Sequence, residues 1–432
     1  MRRFREPGLV QGRIRRRECL LSLTASCVGT GVSSYSVRAN AQSELVQVYA
    51  DYVSAGDGRA RSASLVAIKS GKIVAIRPTA ARPLKPGQRR LWATPGFIAA
   101  PSNLGLVEVS LEQSTLDETP GALQDVAASH VRAQFSASDG YNPASSLIPV
   151  ARLGGVTSVV AAPTGGVVSG VSAFADLVGD DLGNAVVNPQ TSIHVNIDSS
   201  GERGGRPAAF ALLREALEAA RVFQRAGRRY DSARTRQLPF GVVALRNLTR
   251  VLRREIPVVM KASRASDIRG AVNLAKRYKL RLILEGAEEA WTLASELAAA
   301  EVPVVIQPLR NLPTQFASLR SRFDNAAILE RAGVSVGFMT PGAHTVANLR
   351  QEAGNAVAHG MSWQAALSAL TAVPASLFGA KNHGQLGAGK VANLVLWDGD
   401  PFELTTSAVA VFIRGKAIPL VSRQTALFER FK

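Results

Sequence analysis

The stretch from Pro95 to Leu106, PGFIAAPSNLGL, marks the point at which the pattern of the chain changes. Before it, apolar residues come in short runs separated by turns, as in Val46 to Val53 and Ser64 to Ile68. That pattern is typical of a small β unit. From Phe97 onward, apolar runs of strand length alternate with stretches of helical periodicity. This alternation indicates parallel βα units.

The alternating region is long enough for a complete α/β barrel, since about 280 residues is an ordinary length for eight βα units. Apolar runs predict strands at Phe97–Ala100, Thr157–Ala161, Ser192–Val195, Val258–Met260, Leu280–Leu284, Val304–Ile306 and Val334–Phe338. Helical periodicity predicts helices at Ala208–Arg225, Ala265–Tyr278 and Ala287–Ala300.

The end of the chain returns to a β pattern, with predicted strands at Leu394–Trp397 and Ala408–Ile413. We therefore predict a fold of class α/β, a (β/α)8 TIM-like barrel over residues 94–383. The flanking segments, residues 42–93 and 384–432, are predicted to form one small composite β-sheet domain from both chain ends.

Residues 1–41 have the organisation of an export signal peptide. A basic leader precedes the apolar stretch from Cys19 to Val32, and Ala39-Asn40-Ala41 matches an A-x-A cleavage pattern. Arg16-Arg17 resembles a twin-arginine signal. We expect a periplasmic or secreted protein after cleavage near Ala41, the alternative being a disordered basic tail. Beyond residue 42 no window offers the ~18 uninterrupted apolar residues of a membrane span, so we do not expect an integral membrane protein.

Both cysteines, Cys19 and Cys27, lie inside this leader, so the mature chain would hold neither disulfides nor thiolate metal sites. The leader carries eight arginines and two glutamates, and its removal lowers the net charge from +18 to +12. Ten arginines face one acid, Asp231, between Arg221 and Arg254. This segment either binds a polyanion or forms a solvated helical face. Few aromatic residues accompany it, which argues against nucleic-acid binding by base stacking.

The opening stretch resembles the first barrel strand of the amidohydrolase superfamily, P-G-[FL]-I-D-x-H-x-H-x-G. The resemblance continues over almost all of the chain after the leader and is nearest to the imidazolonepropionase-related branch. It is carried by Gly154 to Ser158 (GGVTS), Leu349 to Gly354 (LRQEAG) and Gly389 to Val395 (GKVANLV).

The resemblance implies a site for zinc or another divalent metal at the carboxyl ends of the barrel strands. Members of this family hold the metal with two histidines after strand 1, one histidine each after strands 5 and 6, and an aspartate after strand 8. The metal lowers the pKa of its bound water to about 7. Such a site would hydrolyse C–N bonds other than peptide bonds.

This chain departs from the family at each of those positions. The residues at these five positions are Pro101, Asn103, Lys261, Glu285 and Pro341, and Ala99 stands where the strand-1 motif has its aspartate. Proline offers no side-chain donor, and an amide oxygen is a poor zinc ligand. We therefore expect no metal cofactor.

Three residues remain as candidate catalytic groups: Lys261, Glu285 and His344. If strands 5 and 6 are neighbours, the Lys261 ammonium lies near the Glu285 carboxylate. The pair would either be a salt bridge that fills the emptied site or a working acid–base pair. His344 follows Pro341 in the loop expected at the barrel mouth. His194, at the end of a predicted strand, is expected to be a buried structural histidine.

Three functions are compatible with these observations. The first is an exported, metal-free pseudoenzyme of this fold that binds an unknown small molecule at the barrel mouth. It would serve binding or assembly, as a homo-oligomer or with a related protein. The second is an active amidohydrolase or dipeptidase-like hydrolase with a reorganised site. The third is an envelope or polyanion binder that uses Arg221–Arg254.

Overall fold

The computed structural model describes residues 45–119, 130–179, 183–198, 205–227 and 238–432, together with the backbone of residues 37–40. Most of the predicted signal peptide therefore lies outside the described residues, as do Arg228 and Arg229 of the arginine-rich segment. Within the described part of the chain, no helix is both long enough and apolar enough to span a membrane.

The strands fall into three groups along the chain. The first group is β1 (Val37–Asn40), β2 (Leu45–Ala50), β3 (Tyr52–Ser54), β4 (Ala60–Arg61), β5 (Ser64–Lys69), β6 (Lys72–Pro78) and β7 (Trp92–Pro95). The second is β8 (Phe97–Ser102), β9 (Val156–Ala161), β10 (Val168–Asp176), β11 (Val186–Asn196), β12 (Val258–Ala262), β13 (Leu282–Gly286), β14 (Val304–Ile306) and β15 (Val336–Phe338). The third is β16 (Leu394–Trp397), β17 (Ala408–Ile413) and β18 (Lys416–Ile418).

The described helices mostly connect the barrel strands. They are α1 (Ala137–Gly140), α2 (Ile148–Leu153), α3 (Gly205–Ala226), α4 (Val242–Leu252), α5 (Ala265–Tyr278), α6 (Ala294–Ala299), α7 (Asn325–Arg331), α8 (Leu349–Ala358), α9 (Trp363–Leu370), α10 (Ala372–Leu377) and α11 (Arg423–Phe431). Single 3-10 turns lie at Gln113–Thr115, Ala290–Leu293, Phe316–Ser318 and Ala343–Asn348.

The second group of strands forms one eight-stranded sheet in the order β8 to β15. Its two ends meet where the Asn103 N–H donates to the Pro341 carbonyl at 3.1 Å, so the sheet is a nearly closed barrel. Alternate residues belong to different apolar clusters. Ile98 and Val259 pack in a small inner cluster, whereas Phe97 and Met260 pack with the surrounding helices. This alternation shows which side chains point into the barrel.

One barrel strand departs from the predicted parallel pattern. β10 pairs antiparallel with both β9 and β11, whereas the other neighbouring pairs are parallel. Residues 162–167, which join β9 to β10, are too few for a helical crossover, so the chain turns back as a hairpin. The prediction of eight parallel βα units is wrong at this strand, although the α/β barrel itself is confirmed.

The additional β domain uses both ends of the chain, as predicted. A six-stranded sheet runs in the order β18-β17-β16-β7-β3-β4, with β16 antiparallel to β7. A second sheet, β1-β2-β5-β6, packs on it through Val48, Ile68 and Phe412. The exact limits 42–93, 94–383 and 384–432 stay a prediction, and β7 runs across the first of them.

The barrel is fastened to this β domain through Asp176, at the end of β10. Its carboxylate, which has no exposed surface, accepts hydrogen bonds from Arg414 Nε at 2.6 Å, Ser158 Oγ at 2.8 Å and Asn393 Nδ2 at 2.9 Å. His383 Nε2 lies 3.2 Å from it. The joint leaves the opposite end of the barrel, where the strands have their carboxyl ends, free for a site.

Candidate functional site

Three neighbouring parallel strands place polar side chains in one row at the carboxyl end of the barrel. Asn196 on β11, Lys261 on β12 and Glu285 on β13 are paired in register. Val259 and Ile283, two residues earlier on their strands, belong to the inner apolar cluster. Because residues two apart on a strand share a face, Lys261 and Glu285 point into the barrel.

His194 lies one step deeper on β11 and makes the closest charged contact of Glu285. Its Nδ1 is 3.8 Å from Glu285 Oε2, and both side chains are largely buried. Burial raises the pKa of the Glu285 carboxyl, but the His194 ring and the Lys261 ammonium lower it by more. The net pKa lies below its ordinary value, so Glu285 is held as a carboxylate.

A chain of hydroxyl groups continues from His194 into the barrel. His194 Nε2 lies 3.1 Å from Ser192 Oγ, which lies 2.6 Å from Ser172 Oγ, and that hydroxyl lies 2.8 Å from Thr191 Oγ1. Ser192 has no exposed surface. A hydroxyl so deeply buried is out of reach of a substrate, so it orients the His194 ring rather than acting as a nucleophile.

The structure places Lys261 beside Glu285 but gives the closer contact to His194. Lys261 is half-buried at the strand end, and its charge contributes to the lowered pKa of Glu285. Two members of the cluster, Lys261 and Glu285, were therefore predicted as site residues, whereas the third, His194, was predicted to be purely structural. The signal that could have found it is the alternation Ser192-Ile193-His194-Val195-Asn196, which puts three polar residues on one face.

The strand-1 residues that stand at the family's motif positions, Ala99, Pro101 and Asn103, form part of the barrel wall. Ala99 has no exposed surface and packs in the apolar cluster on the helix side. Pro101 is buried at the end of β8. Asn103 Oδ1 accepts a hydrogen bond from the Ala343 N–H at 2.5 Å, and its Nδ2 donates to Glu118 Oε2 at 3.0 Å. Asn103 thereby holds the loop after β15 to the loop after β8.

At strand 8 the two predicted site residues lie away from the cluster. Pro341 is exposed, and its carbonyl accepts the hydrogen bond from the Asn103 N–H. His344 lies in the 3-10 turn Ala343–Asn348, with an exposed side chain. The structure brings Lys261 and Glu285 together and leaves His344 on the rim.

The side chains at these positions do not fit a divalent metal. In the described part of the chain, no three His, Cys, Asp or Glu side chains are grouped so that they could hold an ion. His194 and Glu285 offer two donors, and the third member of their cluster, Lys261, carries a positive charge. A catalytic zinc needs three protein ligands, and a neighbouring ammonium repels the ion.

A second polar group, which the sequence did not single out, lies just beyond this cluster. Ser263 follows β12 and donates to Asp198 Oδ2, after β11, at 2.5 Å. Glu288 follows β13, is buried, and lies 3.6 Å from Arg310 through Oε1. The other oxygens, Asp198 Oδ1 and Glu288 Oε2, are buried and have no hydrogen-bond partner among the residues that the structure describes. We call Asp198, Ser263 and Glu288 the rim group.

The comparisons with known proteins agree with this architecture. Residues 267–421 match the model of the amidohydrolase family. An amidohydrolase from Thermotoga maritima MSB8 has a similar structure, with a TM-score of 0.73 and 23% identity over 85% of this chain and 97% of that one. No curated protein sequence matches.

Two further solved structures are more distant. A prolidase complexed with N-methylphosphonate-L-proline matches at 15% identity and a TM-score of 0.52, over 86% of this chain and 98% of that one. An adenosine deaminase from Xanthomonas campestris with bound zinc matches at 21% identity and a TM-score of 0.47, over 88% and 95%. These likenesses concern the fold. Residues 267–421 thus resemble the amidohydrolase family, and the Thermotoga maritima protein and the prolidase share the barrel fold of this chain.

Proposed function

We propose that this protein is an exported, metal-free member of the amidohydrolase superfamily. In this proposal it binds a small amine-bearing molecule at the barrel mouth and does not use a metal to hydrolyse C–N bonds. One observation carries it. The interior at the ends of β11, β12 and β13 holds Lys261 beside Glu285 and His194, so a protein ammonium stands where a metal-dependent member needs a ligand for its cation.

The rim group indicates which class of ligand the barrel mouth would bind. Within the described part of the chain, Asp198 Oδ1 and Glu288 Oε2 are buried acceptors that no donor reaches. Buried polar atoms are nearly always satisfied, and a buried carboxylate oxygen is stabilised most by a charged donor. An ammonium or amine on a small molecule would satisfy these oxygens. Export is proposed from residues 1–41, and assembly with a second copy or a related chain stays a proposal that rests on the preserved barrel.

Metal analysis of the purified full chain tests the first part. After growth with added zinc, we expect far less than one metal ion per chain. As a control, His194→Ala removes the strongest remaining donor, so any residual metal that depends on His194 would disappear in this variant. Stoichiometric zinc, with amidase or dipeptidase turnover that is lost on chelation, would overturn the proposal.

Thermal-shift measurements with small amines and amino acids test the second part. A ligand that binds the folded chain through the rim group raises the melting temperature, and the rise grows as the ligand concentration exceeds its Kd. We expect Glu288→Gln to abolish that rise, because the amide removes the negative charge and puts an NH2 donor in place of one of the two acceptor oxygens. Glu429→Gln, on the exposed face of α11, is the matched control and should leave the shift unchanged.

An active hydrolase with a reorganised site is the second candidate, and the contact between Glu285 and His194 favours it. A carboxylate that orients an imidazole is the arrangement of a general base, which could take a proton from water during hydrolysis. Turnover of an N-acyl amino acid or a dipeptide that survives chelation but is lost in His194→Ala would support this candidate. The absence of chelator-resistant turnover would exclude it for those substrates.

A further inference from the structure

A cavity of about 550 Å³ opens at the amino ends of β12, β13 and β14, the opposite end of the barrel from the candidate site. Its walls include Pro257, Leu282 and Pro303, which lie next to or at the starts of these strands. The volume lies within the range of roughly 300 to 1,000 Å³ that is usual for small-molecule sites. The cavity is large enough for a ligand of its own.

Four exposed cationic side chains line this cavity, and they face one carboxylate. The cations are Arg254, Lys276, Lys279 and Arg281, and the carboxylate is Glu301. They come from three segments: the end of α4, the end of α5 and the start of β13. We call Arg254, Lys276, Lys279 and Arg281 the basic cluster.

Two acidic residues near the basic cluster, Glu255 and Glu296, are already engaged elsewhere. Glu255 pairs with Arg250 at 3.3 Å and with Arg253 at 3.8 Å. Glu296, whose pKa Lys276 helps to lower, is bonded to Arg269 at 2.6 Å. Among the described residues, none of the basic-cluster cations forms an ion pair, and four cations share the cavity with one carboxylate, Glu301.

Helix ends explain only part of this arrangement. A cation near the carboxyl end of a helix is stabilised by the helix dipole, which accounts for Lys276 in the last turn of α5. Arg281 is on neither helix. Arg254 Nη1 donates a hydrogen bond to the Lys279 carbonyl at 2.9 Å. This hydrogen bond fixes the two segments that carry the cations on either side of the cavity. Stabilisation by the helix dipoles does not require four cations to converge on one concave surface, so the dipoles alone do not explain the basic cluster.

We propose that the basic cluster binds a multiply charged phosphorylated ligand at the amino end of the barrel. Several cations around one cavity attract a compact polyanion and can each donate a charge-assisted hydrogen bond to it. Lysine and arginine are the residues that bind phosphate oxygens in this way. The ligand is either a free phosphate compound or the headgroup of an anionic lipid. The site is independent of the ligand proposed for the barrel mouth.

Binding of two probes to the full chain tests the site. Inorganic tripolyphosphate is measured by calorimetry, and vesicles of phosphatidylglycerol with phosphatidylcholine are measured by co-sedimentation against pure phosphatidylcholine. Tripolyphosphate binding indicates a free ligand, and binding to the anionic vesicles alone indicates a headgroup. The double variant Lys276→Gln with Arg281→Gln should weaken binding at least about tenfold, because each removes a charge-assisted contact.

The matched control is Lys69→Gln with Lys416→Gln, which removes the same charge from exposed positions outside the cavity. It should bind as the unchanged protein does, and so should the charge-preserving Lys276→Arg with Arg281→Lys. All three double variants change only exposed side chains, and thermal unfolding checks that each variant is folded. Equal weakening by the two Gln pairs, or no binding of either probe, would show that the basic cluster is not a site.

Discussion

Arg414 Nε donates a 2.6 Å hydrogen bond to Oδ2 of Asp176, a carboxylate with no exposed surface. The two residues belong to different parts of the fold, since Asp176 ends barrel strand β10 and Arg414 follows β17 of the composite sheet. Burial raises the pKa of Asp176, but His383 and Arg414 lower it by more, and the net pKa lies below its usual value. The carboxylate is therefore charged and tied to both parts.

Asp176→Asn should destabilise the protein by about 3 to 5 kcal/mol, because it leaves Arg414 and its neighbours without their shared counter-charge. Denaturant unfolding measures the change. Asp57→Asn, in the partly exposed pair with Arg61 at 2.8 Å, should cost no more than about 1 kcal/mol. An Asp176→Asn variant as stable as the control would contradict the view that this joint holds the barrel to the sheet domain.

Glu285→Gln should destabilise the protein by about 2 kcal/mol at neutral pH, because His194 and Lys261 lose a buried carboxylate partner. The pKa of Glu285 is depressed in the folded protein. Its contribution is therefore fully present above the unfolded value of about 4.3 and is lost as the pH falls through the folded value. The unfolding free energies of the two proteins should therefore converge only as the pH falls below about 4.3.

The outcome that would contradict this is a constant difference over the whole pH range. That result would mean that packing, rather than charge, makes Glu285 important. Glu429→Gln serves again as the control, because Glu429 is exposed on α11 and should show no such convergence.

The regular elements of this fold could largely be predicted from local pattern. Helix α5 begins and ends at the predicted residues, Ala265 and Tyr278, because its apolar face repeats without interruption. Strand β10, with the sequence VSGVSAFAD, was missed. Its serines and glycine are typical of loops, and only the structure shows Ser172 bonded to Thr191 and Ser192 across the hairpin.

The candidate site was less accessible to sequence reasoning, because its contacts depend on register between distant strands. Lys261 and Glu285 could be paired from the resemblance alone. His194 could not, since its approach to Glu285 requires β11, β12 and β13 to lie side by side with a diagonal offset. The position of Asn103 was located correctly, but its hydrogen bond to Ala343 depends on how the barrel closes.

Asn103→Ala should cost about 1 to 3 kcal/mol, because it removes the acceptor of the Ala343 N–H and the donor to Glu118. Asn103→Asp keeps the first bond but places a second carboxylate against Glu118. Its destabilisation should therefore appear near neutral pH and shrink when the carboxylates are protonated. Unfolding free energies from chemical denaturation, measured near neutral pH and at a pH where the carboxylates are protonated, distinguish the two variants. Equal effects of both variants at both pH values would show that the hydrogen bonds of Asn103 do not hold the loop after β15 to the loop after β8.

Glu352 on α8 should make the protein more stable in mild acid than in mild base. Burial raises the pKa of its carboxyl to about 7, against smaller lowering effects of the Leu309 N–H and of Gln307. Because the folded value lies above the unfolded one, the folded state binds the extra proton between about pH 4.3 and 7. Stability from this group is present below the unfolded value and is lost as the pH rises through the folded value.

Glu352→Gln keeps a neutral acceptor for the Leu309 N–H, which now donates to Oε2 at 2.8 Å. The variant should be more stable than the unchanged protein at pH 8, by up to about 3 kcal/mol, and nearly equal to it at pH 4. Thermal unfolding at the two pH values measures this. Glu330→Gln serves as the control, because the partly exposed carboxylate of Glu330 accepts hydrogen bonds from Ser362, and this variant should not gain stability at pH 8. A loss of stability in Glu352→Gln at pH 8 would mean that the ionised carboxylate is needed where it lies, and that the loop after β14 depends on its charge.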